Sequence, residues 1–61
     1  MTAKQFRKIL EDGLITQRQA AEDLGISERN VRRYLAGDLP IPRVVELAIN
    51  YLWGDKWRAL Q

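Results

Sequence analysis

Sixty-one residues allow one domain, residues 1–61, and a chain this short buries only about 60% of the surface its unfolded form exposes, so a partner subunit would add to a thin stability margin. The absence of cysteine and histidine excludes disulfides and thiolate or imidazole zinc sites, and removes the two side chains best suited to catalysis at neutral pH; a non-enzyme without a cofactor is expected. Ten basic against eight acidic residues leave a net charge of +2, so the placement of charge matters more than its sum.

The opening MTAKQFRKILEDG lacks the apolar block of a signal peptide, and no apolar run approaches the roughly 20 residues that cross a bilayer. A soluble cytoplasmic protein with no membrane partner and no evident small-molecule ligand is expected. Strand signals, internal repeats, low-complexity tracts and long linkers are missing, which predicts an all-α fold, a small bundle of four to five helices joined by tight turns.

Thr2 can cap a first helix in which Phe6, Ile9 and Leu10 form one apolar stripe, with Gly13 as a left-handed stop. Leu14 and Ile15 bridge to the next element. Thr16 followed by Gln19 has the capping-box pattern, and QRQAAEDL places Ala20, Ala21 and Leu24 on one face before Gly25 ends the second helix. Ser27 offers a new N-cap after only two intervening residues, so LGIS must hold a sharp turn with Ile26 pointing inward and the two helices crossing steeply.

The third helix, Glu28 to Ala36, stops at Gly37, and DLPIP makes an extended link until Pro42 can serve in the first turn of a fourth helix. That helix, about Pro42 to Trp53, has a poor N-cap in Ile41 and carries Val44, Val45, Leu47, Ala48, Tyr51 and Leu52, more apolar positions than one stripe needs. Gly54 is expected to end it, leaving DKWRALQ as a helical turn or tail.

On the third helix, Val31, Tyr34 and Leu35 cluster on one side and Arg29, Arg32 and Arg33 on the other. A solvated charged face is the plain reading of such a pattern. Arginine also has a planar fork that can hold two acceptors of guanine or straddle phosphate oxygens. Two helices joined by a tight glycine turn are, in addition, the arrangement that lets a second helix enter a major groove. The free N–H groups opening the second helix, with Gln17 and Arg18 beside them, suit a phosphate, and Thr16 could join them, although its role as a cap is the preferred reading.

The stretch ITQRQAAEDLGISERNVRRYLAG, residues 15 to 37, resembles the helix-turn-helix of the Xre/Cro family of phage repressors. The likeness lies in Gln17 opening the second helix, Ala21 facing the turn, Gly25 followed by an aliphatic residue and Ser27, aliphatic Val31, and a hydrophobic residue and glycine closing the third helix. With the flanking helices it spans roughly residues 2 to 53. It implies a lambda-repressor-like DNA-binding domain in which Glu28, Arg29, Arg32 and Arg33 read bases, Arg29 and Arg33 foremost.

By the same resemblance Gln17 contacts a phosphate and braces the reading helix, while Ser27 and Asn30 cap that helix or touch the DNA backbone. Tyr34 is read as core, with a hydroxyl that could reach a phosphate. Glu28 has three readings: it accepts from a cytosine amino group, pairs with Arg32, or favours the positive end of the helix, the last two being preferred. Ala36 stands where many relatives carry a polar residue, which leaves Arg43 as the best phosphate candidate beyond the reading helix. QRQAAEDLGISERNVRRYL is also similar to the repressors associated with anti-CRISPR genes, which shut down their own operon.

One helix reads only about four base pairs, so two copies on double-stranded DNA are expected. Tyr51, Trp53, Trp57 and Leu60 are the candidate dimer interface, with residues 54–61 as a dimerisation tail. The competing reading folds both tryptophans back onto the core, and for Tyr51 the core is preferred. The function so implied is a dimeric transcriptional repressor bound to an inverted-repeat operator. The alternatives are a protein-interaction module, antitoxin-like or an assembly adaptor, and a DNA-binding excision or replication factor.

Overall fold

The computed structural model describes the backbone of residues 1–59 and the side chains of residues 1–54. Among the described residues the chain is all-helical, with four helices and no strand: α1 (Ala3–Gly13), α2 (Gln17–Leu24), α3 (Glu28–Ala36) and α4 (Arg43–Ala59).

Hydroxyl caps open the first three helices. Gln5 N donates to Thr2 Oγ1 at 3.1 Å and Thr2 N donates to Gln5 Oε1 at 2.9 Å, closing a reciprocal capping box. Gln19 N donates to Thr16 Oγ1 at 3.0 Å, but the return bond expected from the Thr16/Gln19 pattern is absent. The Gln19 side chain instead donates to Asp23 Oδ1 at 2.8 Å, a partner one turn on along the same face. Asn30 N donates to Ser27 Oγ at 3.1 Å and starts α3.

Gly25 (φ 70°) and Gly37 (φ 81°) are the left-handed stops their positions call for. Gly13 is not: it stays helical, and Leu14 takes the left-handed conformation (φ 54°, ψ 40°) with its side chain 91% exposed. The cause is the following residue. Ile15 N donates to Leu10 O at 2.8 Å and Ile26 N donates to Ala21 O at 3.0 Å, and both isoleucines pack half-buried against the core. In each case the left-handed residue is the one that turns an isoleucine inward. Leu14-Ile15-Thr16 and Gly25-Ile26-Ser27 are therefore the same turn used twice, eleven positions apart.

The core takes fully buried side chains from every helix: Phe6 and Ile9 from α1, Ala20 from α2, Val31 from α3 and Ile49 from α4. Each of the large ones contributes on the order of 1.5–3 kcal/mol by leaving water. Contacts join α2 with α3, α1 with α3, α1 with α4, and α2 with α4, so α3 rests on two helices at once. Leu39 and Ile41 of the link cover the core from outside.

The fourth helix departs most from expectation. Pro42 lies just before it, its carbonyl accepting from Glu46 N at 2.9 Å, and the first helical residue is Arg43. Helical geometry breaks at Trp53 (φ −132°, ψ 31°), one residue before the expected glycine end, and then resumes to Ala59 as a kinked helix. Trp53 packs half-buried against the core. Among the described residues the fully buried one of α4 is Ile49, which is not among the expected apolar positions, whereas Val44, Leu47, Leu52 and Tyr51 are exposed. Tyr51 is thus not a core residue: it points away from the side of α4 that Ile49 buries. The side chains of Trp57 and Leu60 lie outside the described residues.

Candidate functional site

Ser27 and Gly37 fix the two ends of α3, and the helix divides cleanly between them. Val31, Tyr34 and Leu35 are buried; Glu28, Arg29, Arg32 and Arg33 are exposed. The far end is held twice over. Asp38 N donates to Arg33 O at 3.0 Å within the Gly37 turn, and Arg7 Nη2, reaching across from α1, donates to Leu35 O at 2.7 Å. A cation at the carbonyl end of a helix also meets the negative end of its dipole. Sequence inspection does not find Arg7, because 28 positions separate donor from acceptor and no local pattern links them.

The charge of the chain is concentrated here. Three of the ten basic and one of the eight acidic residues lie on α3, so this helix carries +2, as much as the whole protein, and the rest of the chain balances. Elsewhere three surface cations are matched, Lys8 to Asp12 at 3.3 Å, Arg18 to Glu22 at 3.7 Å and Arg43 to Glu46 at 3.0 Å, while Arg7 is held by the Leu35 carbonyl and Lys4 has no ion pair among the described residues. Among the described residues, none of Arg29, Arg32 and Arg33 enters an ion pair. The expected pairing of Glu28 with Arg32 is therefore not formed.

The remaining candidates are dispersed. Thr16 and Ser27 spend their hydroxyls on caps, and Asn30 is half-buried beside Ser27. Tyr34 is part of the core. Gln17 is exposed at the start of α2, and with Thr16, Arg7, Leu14 and Leu35 it lines an open hollow between the α1–α2 turn and the end of α3. Arg18 and Arg43 are already engaged with carboxylates, and Arg43 does not line this hollow.

Away from α3, the Met1 ammonium donates to Glu46 Oε1, which also brings α1 and α4 together. This hydrogen bond, reinforced by the charges of the terminus and Arg43 and opposed by partial burial, holds the Glu46 carboxyl below its ordinary value. Among the described residues no group of three metal-ligating side chains exists, and no helix is long and apolar enough to cross a membrane.

Comparisons with protein-family models, with curated proteins and with solved structures gave no match. Geometry and charge alone must therefore carry the functional reading.

Proposed function

We propose that this protein is a sequence-specific DNA-binding repressor with a lambda-repressor-like helix-turn-helix, in which α2 lies on the backbone and α3 enters the major groove. The observation that carries this reading is the ridge of Arg29, Arg32 and Arg33, exposed and without ion-pair partners on a helix whose other side is locked in the core. Like charges crowded on one rigid face repel one another, and an anion placed over them relieves that cost. Duplex DNA supplies the anion in phosphates and, in guanine O6 and N7, acceptors that match the guanidinium fork.

Arg29 and Arg33 are the leading base readers, with Arg32 beside them. Gln17, exposed at the first position of α2, is the backbone contact that sets the depth of α3. Arg43 can serve a phosphate only by giving up Glu46. For Glu28, unpaired with Arg32, two roles remain: the helix-dipole term and acceptance from a cytosine amino group. Two copies reading an inverted repeat supply the affinity that one short helix lacks.

The test is selection of bound sites from random duplexes, followed by titration of the selected site at several salt concentrations. A two-fold symmetric consensus is expected, with log affinity falling by about 0.9 per log unit of salt for each phosphate neutralised. Absence of any enriched sequence would overturn the reading. A second reading, a protein-interaction module, has the exposed Val44, Leu47 and Tyr51 of α4 in its favour. Binding to a partner through that apolar surface would barely respond to salt.

A further inference from the structure

The fourth helix is apolar on two opposite sides. Ile49 is fully buried, with Val45 and Trp53 packed around it. At about 100° per residue, Val44, Leu47 and Tyr51 project roughly 140–160° away from Ile49. They are 76%, 51% and 89% exposed. A helix that faces its core on one side is normally polar on the other, and one that is apolar all round is covered all round. Among the described residues the protein covers one side only.

We infer that the outer side of α4 is covered by the same side of a second copy of this chain, in an antiparallel α4–α4 contact centred on Leu47. Two features of the stripe select that occupant. The first is its self-complementary spacing. A two-fold axis crossing α4 between Leu47 and Ala48 sets Val44 of one copy against Tyr51 of the other and brings the two Leu47 side chains together, so one patch serves both copies. The stripe is about 10 Å long, short enough for two straight helices to match along all of it.

The second feature is area. The three residues expose together about 450 Å², with Tyr51 giving nearly half, a little more than half of the roughly 800 Å² that each partner gives to a standard interface. The whole protein exposes 4187 Å². A symmetric pair thus buries at most about 900 Å² from these residues, with the flanks of Leu52 and Ala48 adding to it, the size of a weak, reversible contact that forms at high protein concentration. Tyr51 is the natural anchor, being a large amphipathic ring at the edge with a hydroxyl that stays wet. The interface therefore differs from the expected aromatic cluster, since Trp53 belongs to the core and Val44 and Leu47 take its place.

The inference deepens the DNA-binding reading by assigning its dimer surface, but it stands on α4 alone. The test is sedimentation equilibrium of the full chain, wild type beside Leu47→Glu, Tyr51→Glu and the double variant Arg29→Ala/Arg33→Ala, with helicity of each checked by circular dichroism. The expected result is a wild-type dimer, a dissociation constant unchanged in the double arginine variant, and one raised at least about 100-fold by each α4 change with helicity kept. All four side chains are exposed in the single copy, so none of these substitutions opens its core. A wild type that stays monomeric at high micromolar concentration, or a dimer indifferent to both α4 changes, overturns the inference. In the first case a duplex preference that survives leaves the DNA reading standing without this interface. A dimer broken by the α4 changes in a protein that prefers no duplex supports the interface and ends the DNA reading.

Discussion

Arg7 on α1 donates from Nη2 to the backbone carbonyl of Leu35, at 2.7 Å, in the last turn of α3. The bond satisfies a carbonyl that helix geometry leaves without an N–H partner, and it fixes the direction of α3 relative to α1. Arg7→Ala should lower stability by about 1.5–2 kcal/mol, the low end of the range for a hydrogen bond with one charged partner because Arg7 is exposed, read as a reduced urea midpoint. An unchanged midpoint would show that the bond does not hold α3.

Leu14 has the left-handed backbone that Gly25 adopts at the matching place in the next turn, and its side chain is almost fully exposed. A non-glycine residue in that conformation costs on the order of 1–2 kcal/mol, and little packing is lost on removing this one. Leu14→Gly should therefore stabilise the protein by about 0.5–1 kcal/mol after the entropy of glycine is charged against it. A lowered melting temperature for Leu14→Gly would contradict this.

The two turns also show what the residues alone could reveal. The split of α3 into Val31, Tyr34 and Leu35 against three arginines was legible, because helical period decides it and the observed helix has the expected bounds. The caps at Thr2, Thr16 and Ser27 were legible for the same local reason. Gly13 misled because glycine permits the left-handed state without requiring it; the isoleucine that must turn inward selects the residue before it. The signal was present in the parallel of LIT with GIS. On α4 a surplus of apolar residues left the core-facing side undetermined, and only packing against α1 and α2 chose Ile49 and left Tyr51 outside. Arg7 to Leu35 and Met1 to Glu46 join distant positions and have no local signature.

The Glu46 carboxyl is held below its ordinary value of 4.5 by its hydrogen bond from the Met1 ammonium and by the charges of the terminus and Arg43. A carboxylate whose folded value is depressed adds stability at pH above the unfolded value and loses it as pH falls through the folded one. Stability should therefore decline as pH is lowered from about 4.5, and Glu46→Gln should flatten that part of the curve. Urea midpoints measured between pH 6 and pH 2.5, on the order of one titration range either side, check this; an identical acid slope in the variant would refute the pairing.

Glu28 opens α3 without an ion-pair partner among the described residues. If its carboxylate accepts from a cytosine amino group, Glu28→Gln should erase preference at one base pair of the half-site and cost about 1–3 kcal/mol there. If Glu28 serves only the positive end of α3, the change should lower stability by about 0.3–1 kcal/mol and leave base preference intact. Binding to a duplex series substituted at each position, together with urea denaturation, separates the two.

The most direct measurement compares wild type with Arg29→Ala and Arg33→Ala across every single base-pair substitution of the selected site. Each variant should lose on the order of 1–3 kcal/mol on the selected duplex, keep its affinity for random duplex and its fold, and become indifferent to the base pair at one position; Gln17→Ala should weaken all duplexes alike. Equal losses on selected and random DNA for the arginine variants, or discrimination unchanged at every position, would contradict base reading by α3.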